Sequence, residues 1–373
     1  MGRPSVALEL RRGGGPLQTL RVGIIGCGAR GAGRTGAARA HEHWRGYAST
    51  GRCRLAALAD IRRENAEAFA AEHVAGQDPQ PAIYDDYRAM LAEQRPDVVS
   101  ICTWTALHPE MVSAAVASGA RAIHCEKPLA PTWGEARRMV AGAAAAGVPL
   151  CFTHQRRFEW PFRAARRLLR AGAVGRLLRI EGYCANLFDW GTHWFDMMHF
   201  YNDEQPAQWV MGQVDLEGAS RVFGTLVEGQ GLAVIAFANG VQGLLQTGRD
   251  RLFSEANRLI GTDGVIEVQM DAEGGGRIPL RLRRRGDADW QTVEPEPQDQ
   301  PGAHGPVAAA TADLLHCLEH GGEPELSAAR GLRATELIFA TYESSRRRGR
   351  VDLPLTIDDS PLAAMAADRG LSV

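Results

Sequence analysis

Lysine is almost missing from this chain. Of its 42 basic side chains, 41 are arginine, and Lys127 stands alone. Coding bias with one survivor is one account. The other is a need, at that position, for something arginine cannot give: a compact ammonium whose proton can be lost. Net charge is also missing. Against 42 basic groups stand 44 acidic ones, and the resulting −2 is too weak a field to draw in DNA, RNA or an anionic membrane surface. No apolar run approaches the ~20 residues that span a bilayer. The seven cysteines (Cys27, Cys53, Cys102, Cys125, Cys151, Cys184 and Cys317) are odd in number and contain no C-x-x-C pair. They read as small buried residues in a reducing compartment rather than as disulfides or zinc ligands. The paired Arg11 and Arg12 invite an export reading, but no separate apolar region or A-x-A site follows them. A cytoplasmic protein is expected.

What is present is an ordinary globular composition, 45 % apolar and 23 % charged over 373 residues, enough for a sizeable core and two domains. Residues 1–19, with the run Gly13-Gly14-Gly15-Pro16, read as a flexible extension. Over 20–152 strand-like and helix-like stretches alternate. Strands are expected at 20–25, 54–59, 97–103, 121–125 and 148–152, and helices at 31–49, 62–73, 109–118 and 132–146, the last capped by Thr132. That rhythm gives right-handed βαβ units and a Rossmann-type parallel sheet. After residue 152 a basic amphipathic helix at 159–171 precedes strand-like runs at 176–184, 208–213, 231–237, 240–246, 258–261 and 265–268. Asn239-Gly240 and Asp263-Gly264 are hairpin signals. The expectation is an α+β domain over 153–355 with a mostly antiparallel open sheet, closed by helices at 307–320 and 328–347, then a tail at 356–373. Leu232–Phe237 and Val241–Leu245 are apolar on both faces, so the outer face of that sheet should be covered by another subunit of a homodimer or homotetramer.

Three motifs carry chemistry. Gly26-Cys27-Gly28-Ala29-Arg30-Gly31 is G-x-G-x-x-G between a strand and a helix. In a dinucleotide fold the first glycine turns the chain, the second admits the pyrophosphate, and the third packs helix on strand. Gly26, Gly28, Ala29, Arg30 and Gly31 are therefore expected at the cofactor. Asp60 ends the second strand, where a carboxylate binds the ribose hydroxyls and repels a 2′-phosphate; the plainer role is a helix cap. NAD is favoured, with NADP possible because Arg62 and Arg63 could hold a phosphate. Glu126-Lys127-Pro128 follows a strand at the ligand-binding end of the sheet; a salt-bridged strand end is the alternative. In Asp189-Trp190-Gly191-Thr192-His193-Trp194-Phe195-Asp196 a helix from Thr192 would place His193 and Asp196 on one face, with Asp189 before its first turn. That is an arrangement for a general base or, equally, a capped helix with a packed histidine. His199 completes H-x-x-D-x-x-H, which matches no strong zinc signature, and no metal is expected. Trp190, Trp194 and Tyr183 could stack on the face of a ligand or fill the core.

Taken together, VGIIGCGARG at 22–31, ALAD at 57–60, SICTWTALH at 100–108, HCEKP at 124–128, HQRRF at 154–158, DWGTHWFD at 189–196 and GRVDLPL at 349–355 resemble the glucose–fructose oxidoreductase/inositol dehydrogenase (Gfo/Idh/MocA) family over nearly the whole chain. The resemblance implies a two-domain NAD(P)-dependent dehydrogenase acting on CH–OH groups of sugars, inositols or related polyols. Lys127 matches the family's EKP lysine, and Asp189 and His193 its Asp-x-x-x-His pair. Thr103, His108, Glu126 and Arg157 would lie near the cofactor or nicotinamide. Trp104, also expected at the cofactor, departs from the small residue or proline common there. His193 would be the base, Asp189 its orienter, and Lys127 the donor to the reacting oxygen. Two other activities suit the same resemblance: an NAD-dependent glycosidase working by transient sugar oxidation, and a non-catalytic dinucleotide-binding regulator, which would have no use for the trio Lys127, Asp189 and His193.

Overall fold

The computed structural model describes residues 19–28, 40–248, 256–269 and 280–371. Residues 1–18 of the expected extension, Ala29-Arg30-Gly31 with the start of the expected first helix, and the glycine triplet at 274–276 lie outside the described residues.

Short runs of valine, isoleucine, leucine and alanine, apolar on both faces, are the signature of strands covered on both sides. Six of them, β1 (Leu20–Ile25), β2 (Cys53–Ala59), β3 (Ala82–Tyr84), β4 (Val98–Ile101), β5 (Ala122–Cys125) and β6 (Leu150–Phe152), form a parallel sheet in the order β3-β2-β1-β4-β5-β6. The order reverses between β1 and β4, so the crevice at the carboxyl ends of those two strands is the place where this architecture binds ligands. Between the strands run α1 (Ala40–Ser49), α2 (Arg63–His73), α3 (Tyr87–Gln94), α4 (His108–Ala117) and α5 (Trp133–Ala145). The Thr132 hydroxyl accepts from the Glu135 amide and starts α5 as expected. Strand β3 and helix α3, of three and eight residues, escape the sequence expectation because neither is long enough to show a period.

After α6 (Trp160–Arg170), β7 (Leu177–Cys184) leads into α7 (Gly191–Tyr201), and β8 (Ala207–Asp215) into the hairpin β9 (Ser220–Val222) and β10 (Thr225–Val227). Then follow β11 (Gln230–Phe237), β12 (Gln242–Thr247), β13 (Ala256–Gly261), β14 (Gly264–Gln269), β15 (Leu280–Arg284), β16 (Gln291–Thr292), α8 (Pro306–His320), α9 (Ala328–Arg347), β17 (Val351–Asp352) and α10 (Pro361–Asp368). Among the described residues the second sheet has the order β16-β15-β14-β13-β7-β12-β11-β8-β17, antiparallel except for the β12–β7 pair. Helix α7 lies inside: all of its residues are buried, which is why it shows no polar face.

Two expectations are corrected. Helix α8 does not close the second sheet. Its Ala310, Leu314 and Leu315 join Val22, Ile24, Leu55 and Leu58 in the core of the parallel sheet. Gly46 of α1 makes this possible, since a Cβ there would stand 2.6 Å from Thr311 Oγ1. The expected tail contains α10, capped by the Ser360 hydroxyl with Pro361 in its first turn, and it is tied to α5 through the Gly134 amide, which donates to the Asp358 carbonyl.

Where the two sheets meet, charge is buried. Arg157, from the short turn after β6, has a fully buried side chain and donates to both carboxylate oxygens of Asp196 at 2.8–3.0 Å, and to Glu204 and Glu325. Beside it, burial and the charges of Arg157 and Lys127 push His154 down to about 3, and burial pushes His199 down to about 4. Both rings are neutral when folded and ordinary when unfolded, so the unfolded chain binds more protons below about 6.5. Their contribution is intact above that pH and is lost as pH falls towards 4. The slope expected is about 1.4 kcal/mol per pH unit for each ring. Denaturant melts at stepped pH should show it, and His199→Asn should flatten it; a stability that does not change over this range would contradict the neutral, buried assignment.

Candidate functional site

Strand β1 runs into Gly26, whose φ of +88° and neighbours forbid a side chain: a Cβ would lie 2.5 Å from the Cys102 carbonyl and 2.8 Å from Thr103 Cγ2. Gly28 differs. Among the described residues a Cβ there would meet only Asn65 Nδ2, at 3.8 Å, so their packing does not need this glycine. The room it leaves, at the switch point, is what a pyrophosphate approaching the backbone requires. Asp60, at the end of β2, fixes the same turn. It accepts from the Cys27 amide at 2.8 Å, the Arg62 amide at 2.9 Å and Asn65 Nδ2 at 3.0 Å. Next to it Ile61 is 91 % exposed. The glycine turn, its carboxylate and this open apolar side chain fit a dinucleotide.

Past β4, His108 opens α4 and lies between two carbonyls, with Nε2 3.2 Å from Thr103 O and Nδ1 2.9 Å from Pro128 O. It is fully buried, and burial lowers its pKa. Its work is to hold the end of β4 against the turn that follows β5. Glu126, also buried, stands 3.2 Å from His43 Nε2 on α1, while His43 Nδ1 is 3.0 Å from Ser100 Oγ. His124 stacks on His43 at 4.0 Å. Thus Glu126 and His108 sit beneath and beside Lys127 and lock its backbone.

The lysine itself reaches across to the second sheet. Its Nζ donates to Asp189 Oδ1 at 2.6 Å and to the Asp189 carbonyl at 3.0 Å. The two side chains are 14 % and 11 % exposed. An ammonium has three N–H bonds; among the described residues these contacts take two. Asp189 is placed by Asn186, whose side-chain oxygen accepts from the Asp189 amide at 2.6 Å. Glu228, just after β10, is fully buried, and its carboxylate accepts from the Leu187 amide, the Thr247 hydroxyl and the Tyr342 hydroxyl at 2.6–2.9 Å. Burial pushes this carboxyl up.

The sequence pairs Asp189 with His193; in the structure the carboxylate belongs to Lys127 instead. Spacing along one helix turn cannot reveal a partner 62 residues away. His193 lies in the first turn of α7, buried, edge-on to His154 at 5.7 Å between ring centroids. His154 Nε2 lies 2.9 Å from Thr192 Oγ1. Arg157, expected near the nicotinamide, is committed to the buried cluster with Asp196, Glu204 and Glu325. Among the described residues no three His, Cys, Asp or Glu side chains converge as for a metal; Asp196 goes to Arg157, and His199 Nδ1 lies 3.3 Å from the Gln205 carbonyl. Trp194 is core, its Nε1 donating to Tyr183 O, whereas Trp190 and Tyr183 are half-buried. Asn186 is legible as an Asx turn three residues before Asp189, whereas Glu228 has no local signal.

Among the described residues no helix is long and apolar enough to cross a membrane. The D-apiose dehydrogenase of Paraburkholderia graminis is 28 % identical over 313 residues, 75 % of this chain and 79 % of that one. The inositol 2-dehydrogenase of Paracoccus denitrificans is 40 % identical over 129 residues, 35 % of this chain and 34 % of its own. The WlbA dehydrogenase of Bordetella pertussis, solved with NADH and UDP-GlcNAcA, superposes with a TM-score of 0.70 at 20 % identity, covering 91 % of this chain and 100 % of that one. Residues 20–154, the whole parallel sheet with its glycine turn and lysine, match the Gfo/Idh/MocA family, described as an oxidoreductase family with an NAD-binding Rossmann fold.

Proposed function

We propose that this chain is an NAD(P)-dependent dehydrogenase that oxidises a secondary alcohol of a sugar, inositol or related polyol, or reduces the corresponding ketone. The observation that carries the reading is the Lys127 ammonium held at 2.6 Å by Asp189 at the carboxyl end of the parallel sheet, with one N–H uncommitted among the described residues. Gly26, Gly28, Asp60 and Thr103 would hold the dinucleotide, and a carboxylate at the place of Asp60 would favour NAD over NADP by repelling a 2′-phosphate. When bound, the nicotinamide supplies or accepts the hydride. Lys127 donates its third N–H to the reacting oxygen and stabilises the negative charge that develops there. Asp189 keeps the ammonium charged and aimed, so it is a positioning residue. His193 takes the hydroxyl proton. Seven free cysteines support a reducing, cytoplasmic setting.

The same reading includes a homo-oligomer built on the open face of the second sheet. Met211 and Leu232 are 49 % and 43 % exposed there, and Val234 lies between Met211 and Leu244 in the strand register. Exposed apolar side chains gathered on one sheet face are costly in a monomer. Light scattering at micromolar concentration should return a dimer or tetramer, and Leu232→Arg should shift it towards monomer; a monomeric wild type would contradict this part.

The activity is tested by a panel of polyols, inositols and aldoses with NAD and with NADP, read at the nicotinamide absorbance. Reduction of NAD by at least one of them, faster than of NADP, is expected. Lys127→Ala should lose about 10²–10³ in turnover, the usual cost of a donor to a developing oxyanion. Lys127→Arg should lose as much, because a guanidinium is larger and its planar fork of donors cannot sit where one compact ammonium fits. Near-wild-type turnover in Lys127→Arg would remove the lysine from the chemistry.

A further inference from the structure

Of eight tryptophans, Trp104 alone is exposed, at 45 %. Its place makes the exposure informative. It follows Thr103 at the end of β4, on the switch-point crevice, in extended backbone (φ −76°, ψ 145°) that leads into a short helical turn. That backbone is not free to move. The Leu107 amide donates to the Trp104 carbonyl at 2.9 Å, and the buried His108 ring packs against the Thr103 carbonyl with Nε2 at 3.2 Å. Leu107, in the same turn, is 42 % exposed. Two large apolar side chains thus stand open on a rigid lip beside the candidate site.

The indole also meets the second half of the chain. Gly224, at the tip of the β9–β10 hairpin, comes so close that a Cβ would stand 3.3 Å from Trp104 Cε3 and 3.5 Å from Cζ3. Its φ is +76°, and its carbonyl accepts from Arg221 Nη1 at 2.7 Å, which fixes the tip. The hairpin's other end is Glu228, which clamps the Leu187 amide in the loop that carries Asp189. One segment, 220–228, therefore ties the tryptophan to the candidate catalytic loop. A tryptophan kept for packing would be covered by its neighbour. Here the neighbour is a glycine that backs the ring and leaves nearly half of the residue wet.

We propose that Trp104, backed by Gly224, is a specificity-determining residue whose indole stacks on the outward ring of a glycoside while the inner ring reacts at Lys127. This rests on the dehydrogenase reading. Lys127 and Asp189 are 14 % and 11 % exposed, deep in the crevice, while Trp104 is at its rim. A substrate with its reacting oxygen on Lys127 meets the rim with its distal part. An indole face is apolar and carries negative charge density, and it suits the C–H face of a sugar ring with its hydroxyls turned outward. An open-chain polyol or a lone small ring offers the rim little.

The test compares kcat/KM for the best single-ring substrate of the panel with that for its methyl, phenyl and glucosyl glycosides, in wild type, Trp104→Ala and Trp104→Phe. The affinity for NADH is measured alongside by nicotinamide fluorescence. Wild type should favour the phenyl and glucosyl glycosides by about tenfold, expressed in KM rather than kcat. Trp104→Ala should erase that preference, and Trp104→Phe should retain most of it, with NADH affinity the same in all three. A preference that survives Trp104→Ala, a wild type indifferent to the second ring, or a Trp104→Ala defect confined to NADH binding would each overturn the proposal while leaving the dehydrogenase reading intact. No turnover of any ring by wild type with NADH bound would overturn both.

Discussion

One ion pair joins the two halves of this molecule where the chemistry is expected. Lys127 comes from the parallel sheet and Asp189 from the loop between β7 and α7, and they meet at 2.6 Å. A largely buried ammonium must have a partner, so the pair constrains everything that supports it. His108 and Glu126 fix the backbone around the lysine; Asn186 and Glu228 fix the loop of the aspartate. The composition makes the same point. A chain that uses arginine at 41 of 42 basic positions keeps lysine here, where one ammonium meets a carboxylate and a carbonyl in a confined space.

The second buried charge system has a different job. Arg157 serves three carboxylates at once, and a planar guanidinium with five donors suits that demand as lysine could not. Removing Arg157 would leave the Asp196 carboxylate buried without its cation. The neighbouring histidines are held neutral, His154 at about 3 and His199 at about 4, so they add packing and hydrogen bonds without further charge. Arginine holds the scaffold together, and lysine stands at the crevice.

How much of this is legible in the sequence depends on how far apart the cooperating residues lie along the chain. The glycine turn, Asp60 and the lysine at the end of β5 are local patterns whose meaning follows from strand–turn–helix order alone, and the structure puts them at the expected ends of β1, β2 and β5. The partner of Asp189 is not legible, because a carboxylate four residues from an imidazole looks like its orienter until a lysine from another sheet arrives. Helix α8 is misplaced by the sequence for a related reason: its small residues fit the Gly46 side of α1, and complementarity between distant segments leaves no period. Trp194 and Arg157, both candidates for the crevice, are interior, since an aromatic or a cation within a motif carries no mark of its burial.

The central claim is that Lys127 and Asp189 act as one device, and a double-mutant cycle on turnover tests it most directly. Lys127→Ala, Asp189→Ala and the double variant would be compared by the rate of nicotinamide reduction, with folding checked by circular dichroism. If the aspartate works only through the lysine, the double variant should be no slower than Lys127→Ala alone. Losses that multiply would mean that Asp189 serves the reaction independently of Lys127, and the two residues would not be one device.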